Sequence, residues 1–206
     1  MSPQASLKGV AFTGALFLVL FGIFVAQLKR DGGFSWDDPV LDLLRERVPL
    51  AQKLVWRSIL ACLMVTLLAI GLLVQQRRFE TAIVWVAAVG GAVALDPVLK
   101  ALVARPALNP DSSEYSFPSG SAMLLLAVTI ALIVSLPTKY RPVVAAFGFA
   151  LILYQGAILV STGWHYPSDI VGGWCATVAW LAIVLISVRG LSQNMGRQPE
   201  PGDSLS

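Results

Sequence analysis

His165 is the only histidine in the chain, and Asp169 follows it by four residues in the run Gly163-Trp164-His165-Tyr166-Pro167-Ser168-Asp169. If the chain turns into a helix there, one turn brings the two side chains together. The carboxylate can then hold one ring nitrogen and leave the other free as a nucleophile. A second polar group, Tyr115-Ser116-Phe117-Pro118-Ser119-Gly120-Ser121, stands directly before an apolar run. Ser119 or Ser121 can cap a helix beginning there, and first-turn N–H groups beside the small Gly120 form an anion site suited to phosphate. Lys100 and Arg105 would add fixed positive charge for the oxygens of a phosphoryl group in transfer, and an arginine can bind two of them at once. Taken singly, each feature has an ordinary reading: a tight turn, a lone histidine, a cation snorkelling at a helix end. Their chemistry depends on whether the fold gathers them.

The elements that must do so are membrane helices. Of 206 residues, 56% are hydrophobic and 13% charged, with mean hydropathy +0.74, well above the apolar share of about 45–50% in soluble domains. At about 20 apolar residues per crossing, six spans and short connections fill the chain. The spans are expected at about Val10 to Leu28, Ser58 to Val74, Thr81 to Leu99, Ala122 to Leu136, Val143 to Val160 and Ile170 to Val188. The first run exceeds a signal-peptide core of about 7–15 residues and lacks a clear cleavage site, so it reads as a retained span. Between the first two spans, residues 34–57 are too charged to cross a bilayer. There Asp38 is expected to cap a helix with Pro39 at its first position, and Val40, Leu41, Leu44 and Val48 recur at helical spacing. An amphipathic helix on the membrane surface follows, with Arg45, Glu46 and Arg47 on its wet face. The fold expected is an all-α integral membrane protein, a six-helix bundle with this interfacial helix, over residues 1–190; residues 191–206 form a disordered polar tail.

Charge orients it. The short connections carrying Arg77 with Arg78 and Lys139 with Arg141 are nearly free of acids, and together with Lys8 and Arg189 they read as the cytoplasmic side. With an even number of spans, Lys100 to Ser121 and Ser161 to Asp169 then share the opposite, extracytoplasmic face. Asp96, beside Pro97, is expected at a helix end near the interface.

On these residues the chain resembles the type 2 phosphatidic acid phosphatase family of membrane lipid phosphatases. The layout is similar over nearly the whole chain; the specific likeness lies in Lys100 to Ser121 and Leu159 to Asp169. Pro118-Ser119-Gly120 and His165 to Asp169 match the family's motifs. The resemblance implies that His165 accepts the phosphoryl group, that Asp169 orients it, and that Ser119 and Gly120 bind phosphate. Ala107 stands where the family has an arginine after its motif lysine, Ser121 replaces the second-motif histidine that serves as general acid, and Leu159 replaces the third-motif arginine. Loss of a proton donor costs about 10²–10⁴-fold. A diphosphate expels a phosphate group, a better leaving group than an alkoxide, and depends less on that donor.

The reading is therefore a lipid phosphatase, in a bacterial cytoplasmic membrane with its site extracytoplasmic. It acts on a lipid phosphate or diphosphate, a polyprenyl diphosphate favoured, through a phosphohistidine; Lys100, Arg105, Ser119, Gly120 and Ser121 bind phosphate. A catalytically silent relative serving as a lipid-binding or partner protein is the alternative, and a small transporter or a phosphotransferase using His165 are further ones. The partners expected are a phosphorylated lipid and the bilayer. A pI near 9.1 comes from short cationic flanks, not a basic stripe, which excludes nucleic acid as the partner. Cys62 and Cys175 lie singly in apolar runs, so no disulfide framework or metal cluster is expected, and neither is a cofactor.

Overall fold

The computed structural model describes residues 3–45, 51–108 and 115–195. Among the described residues every regular element is helical: α1 Pro3–Asp31, α2 Asp37–Leu44, α3 Ala51–Gln75, α4 Phe79–Trp85, α5 Gly91–Val103, α6 Gly120–Ser135, α7 Arg141–Ser161 and α8 Pro167–Met195. Glu46, Arg47 and Val48 and residues 196–206 of the expected polar tail fall outside what is described, while residues 191–195 continue α8.

Among the described residues, five stretches are long and apolar enough to cross a membrane: Leu7–Asp31, Trp56–Gln75, Phe79–Val103, Thr138–Ser161 and Pro167–Gly190. The expected fourth span corresponds to α6, which has 16 residues and rises about 24 Å at 1.5 Å per residue. That is short of a hydrocarbon core about 30 Å thick. The shortness follows from its place, because α6 packs against α3, α5, α7 and α8 and eight of its residues, Ala122 to Ala131, are buried. The outer helices show the opposite pattern: Met64, Leu67 and Leu68 of α3 and Phe147 of α7 are all more than 60% exposed. Apolar side chains on the outside mark a chain whose solvent there is lipid.

Without a hydrophobic force between spans in lipid, close packing and internal hydrogen bonds hold the bundle. α1 lies against α8 where Gly14 meets Ala182. The third span is interrupted by a π-helical turn, Val86–Gly90, and the Trp180 indole of α8 donates to the Ala87 carbonyl at 3.0 Å. At the far end of α6, Arg78 donates to the Ser135 carbonyl at 3.3 Å and Arg141 to the Leu136 carbonyl at 3.0 Å. The two cationic connections thus meet at one end of the bundle, satisfying the last carbonyls of α6.

Two local expectations change. α2 begins at Asp37, not after Asp38, with Trp36 in the capping position. Asp96 is not at a helix end: α5 runs through Pro97 to Val103, so Lys100 sits inside the helix one turn beyond Asp96 rather than in the connection. α2 itself lies on the bundle's end, its Leu41 packed in an apolar cluster with Ala122, Ile158, Leu159, Val160 and Ile170.

Candidate active site

α7 ends at Ser161, and the turn that follows folds back on it. The Leu159 carbonyl accepts from the N–H groups of Trp164 at 3.1 Å and His165 at 3.3 Å, and Gly163 takes a left-handed φ of +68°, the conformation glycine adopts without a Cβ penalty. α8 then starts at Pro167, whose missing N–H costs nothing at a first helical position. His165 Nδ1 comes to 3.4 Å from Asp169 Oδ2. The two atoms face each other, but Nδ1 makes no hydrogen bond among the described residues, and catalytic hydrogen bonds often tighten only around substrate.

Asp169 is fully buried and held from three directions. Its Oδ1 accepts from Arg105 Nη1 at 2.6 Å, and its Oδ2 from the Tyr166 N–H at 2.9 Å as well as facing His165. A buried carboxylate needs this pairing, because an uncompensated charge in a low-dielectric interior costs several kcal/mol. Arg105 is brought inward by the left-handed Ala104, φ +54°, which ends α5. Its side chain is 5% exposed, stacks over the Tyr166 ring at 3.8 Å and makes a second ion pair, Nη2 to Asp37 Oδ2 at 2.8 Å. Asp37 also accepts from the Ser168 N–H at 2.9 Å and the Ser168 hydroxyl at 2.7 Å. The result is one buried network, Asp37–Arg105–Asp169 with Ser168, behind His165. Burial pushes the Tyr166 phenol up from its ordinary value, against a downward pull from the Arg105 charge.

The Ser119 loop docks on the same helix. The Phe117 ring occupies the space that Gly172 leaves open on α8, and Gly173 comes against the Ser119 backbone. The Phe117–Pro118 peptide is cis, and the Ser119 N–H donates to the Asp169 carbonyl at 3.1 Å. Ser119 takes the capping position of α6 but gives its side chain to no helical N–H; its hydroxyl lies 3.5 Å from that of Ser121. Over this helix start lies Asp96. A Cβ at Gly120 would fall 2.5 Å from the Asp96 carboxyl carbon; Asp96 Oδ2 pairs with Lys100 Nζ at 3.3 Å, and its Oδ1 is buried without a hydrogen bond.

The structure therefore gathers the residues singled out in the sequence into one contiguous patch in two halves. His165, Asp169 and Arg105 form one, and Ser119, Gly120, Ser121 and Lys100 the other, joined by the Ser119–Asp169 backbone bond. Arg105 spends its guanidinium on two carboxylates rather than presenting it openly. Leu159, at the position of the family's arginine, is 1% exposed in the apolar cluster. Asp37, Tyr166 and Ser168 join the site without a motif that singles them out. The signal for Asp37 is weak: an Asp-Asp pair after two glycines, whose second member is the expected cap.

Comparison with known proteins agrees with the motif resemblance. Residues 97–192 match the model of the PAP2 superfamily, a stretch that holds every anticipated site residue but not Asp37. Over 81 residues the chain is 26% identical to an undecaprenyl-diphosphatase of Sulfolobus acidocaldarius, covering 39% of this chain and 37% of that protein. The match thus spans little more than a third of the relative's length. The crystal structure of a transmembrane PAP2-type phosphatidylglycerolphosphate phosphatase from Bacillus subtilis superposes with a TM-score of 0.58 at 19% identity, covering 91% of this chain and all of the other. At that identity the likeness is one of fold.

Proposed function

We propose, for a multi-pass membrane chain that matches the PAP2 superfamily over residues 97–192 and shares the fold of a transmembrane member, that it hydrolyses a lipid phosphate or diphosphate, a polyprenyl diphosphate in preference, through a phosphohistidine. The observation that carries this reading is the His165–Asp169 pair set beside the Ser119–Ser121 helix start. In the first step the His165 Nε2 lone pair attacks phosphorus, the P–O bond to the leaving group breaks, and Asp169 balances the imidazolium. For a diphosphate the leaving group is the polyprenyl monophosphate; with Ser121 in the general acid's place, that stable anion departs without an added proton. Water then attacks phosphorus, the P–N bond breaks with its electron pair returning to His165 Nε2, and inorganic phosphate leaves while the proton lost by the water passes to solvent. Lys100, Ser119, Gly120 and Ser121 hold the phosphoryl oxygens. Arg105 serves by holding Asp169 rather than as an open phosphate ligand.

In this reading α6 completes six crossings, residues 1–190 form one domain ahead of a polar tail, and α2 lies at the interface. The cationic connections meeting beneath α6 favour a cytoplasmic placement for that end, which puts His165 on the extracytoplasmic face of a bacterial cytoplasmic membrane. A metal-independent site accords with nucleophilic catalysis by histidine.

A second reading, a silent relative that binds lipid, is favoured by one observation: the Arg105 guanidinium is already engaged by two carboxylates while the family's two motif-arginine positions hold Ala107 and Leu159 here. Phosphate release by detergent-purified protein from a polyprenyl diphosphate and from phosphatidic acid, each against His165→Ala, decides between them. Release that the variant loses, faster from the diphosphate, supports the phosphatase. Equal signals from the two proteins favour the silent relative.

A further inference from the structure

Between α3 and α7, floored by α6, runs a groove of about 470 Å³ whose outer edges carry the exposed apolar side chains Val65, Phe147 and Leu151, a volume within the range of about 300–1,000 Å³ typical of small-molecule sites. Its walls are apolar over most of their length: Ala61, Cys62 and Val65 on α3, and Phe147, Gly148 and Leu151 on α7, with the Tyr154 ring toward the polar end. Thr129, on the floor, gives its hydroxyl back to the Leu125 carbonyl at 2.8 Å and turns its methyl toward Gly148, so the interior offers no free polar group there. One end differs. Arg57, exposed and without an ion pair among the described residues, stands there with Ser58 and Gln155, which bond to each other at 3.0 Å. A trough with a cation and two polar groups at one end and hydrocarbon along the rest is complementary to an amphiphile with an anionic head.

That end is also the end of the candidate active site. Ile158 lines the groove and packs in the cluster that includes Ala122 of the α6 first turn and Ile170, next to Asp169. Trp56, beside Arg57, meets edge-on the ring of Trp164, beside His165, with centroids 6.4 Å apart. A headgroup held at the level of His165 therefore has this groove as its neighbouring apolar path into the bilayer.

We propose that the groove between α3 and α7 seats the hydrocarbon chain of the substrate lipid, which enters sideways between these two helices while Arg57 draws its anionic headgroup to the mouth. The proposal rests on the lipid phosphatase reading and adds to it the route of entry and the element that selects for a long chain.

The test compares a long-chain polyprenyl diphosphate with dimethylallyl diphosphate, which carries the same headgroup on a chain too short to use the groove. Ala61→Trp and, separately, Val65→Trp fill the groove from α3; Leu67→Trp, on the outward face of the same helix at 72% exposure, is the control. The expected result is a fall of about tenfold or more in the long-to-short ratio of kcat/KM for the two groove variants, carried by KM, the scale on which apolar pocket contacts discriminate, and no change in that ratio for Leu67→Trp. An unchanged ratio in both groove variants would overturn the proposal, and a misfolded variant is recognised because it loses both substrates together.

Binding is read independently of turnover by a polyprenyl phosphate carrying a diazirine on its chain. Crosslinks are expected on the groove-lining peptides of α3 and α7, reduced in Ala61→Trp and competed by unlabelled polyprenyl phosphate. Crosslinks scattered over outward faces, or competed equally by phosphatidylcholine, would overturn it, the latter by making the groove a general lipid seat. If no substrate is turned over in a His165-dependent way, the phosphatase reading fails while the crosslinking pattern still decides the groove.

Discussion

Arg105 donates to the buried carboxylate of Asp37 at 2.8 Å across 68 residues of chain, tying the segment after the first membrane helix to the loop that carries the candidate phosphate site. The same guanidinium reaches Asp169 at 2.6 Å, so one cation compensates two buried anions. The chemistry of Asp169 is thereby linked to a residue outside the segment that matches the PAP2 superfamily.

Removing that cation is expected to cost more than removing one anion. Arg105→Ala leaves two carboxylates buried and is expected to destabilise the fold by about 3–5 kcal/mol, the scale for breaking a buried ion pair. Asp37→Asn keeps the Arg105–Asp169 pair and part of the hydrogen bonding, and about 1–3 kcal/mol is expected. Thermal unfolding in detergent, read by size-exclusion of the surviving monodisperse fraction, orders the two. A wild-type melting profile for Arg105→Ala, with weakened phosphate binding, would show instead that the arginine faces substrate.

Gly120 is expected to tolerate no side chain while Asp96 is present. A Cβ there falls 2.5 Å from the Asp96 carboxyl carbon, and forced overpacking of this kind typically costs about 1–3 kcal/mol. Asp96→Ala in the Gly120→Ala background is expected to recover most of the loss, giving a coupling of roughly 0.5–3 kcal/mol in a double-mutant cycle. Additive effects would mean that the two residues do not meet.

Ser121→His restores the residue that the family resemblance assigns as proton donor. The expected outcome is a gain of up to about 10²–10⁴-fold on a phosphate monoester, the range for general acid catalysis, and a much smaller gain on a diphosphate. The ratio of the two rates is the measurement. A uniform gain on both substrates would locate the benefit in binding rather than in leaving-group protonation.

Tyr166 provides a pH prediction. Its phenol is raised above the ordinary value of 10.0, first by burial and then by the Asp169, Asp38 and Asp37 charges, with Arg105 pulling it down. A folded pKa above the unfolded one means that the neutral phenol contributes stability in full below about pH 10 and loses it as pH rises through the higher folded value. In an ultraviolet titration of the folded protein, the tyrosinate signal missing from Tyr166→Phe should belong to the late-ionising part of the curve. Loss of an early-ionising component instead would place Tyr166 in a more cationic or wetter setting.

The sequence by itself determined the membrane character of this chain, because apolar runs of span length admit no other solvent. It determined the helical class as well, since a backbone in lipid must satisfy its own hydrogen bonds. It also exposed the local chemistry: His165 and Asp169 one turn apart, and Ser119 through Ser121 at the start of an apolar helix, are short-range patterns that a linear reading captures. What only the tertiary structure decided is who compensates whom. Arg105 looks in sequence like a free cation for phosphate, and Asp38 like the acid of interest at the start of α2. Packing instead buries Asp37, Arg105 and Asp169 together, and in a low-dielectric interior such charges must find one another whatever their separation along the chain. Asp96 likewise reads as a helix-end residue beside a proline until the continuous α5 sets it over Gly120. The groove between α3 and α7 has no linear signature, because it arises where side chains on three helices face one space, and that depends on the rotation of each helix in the bundle rather than on the order of its residues.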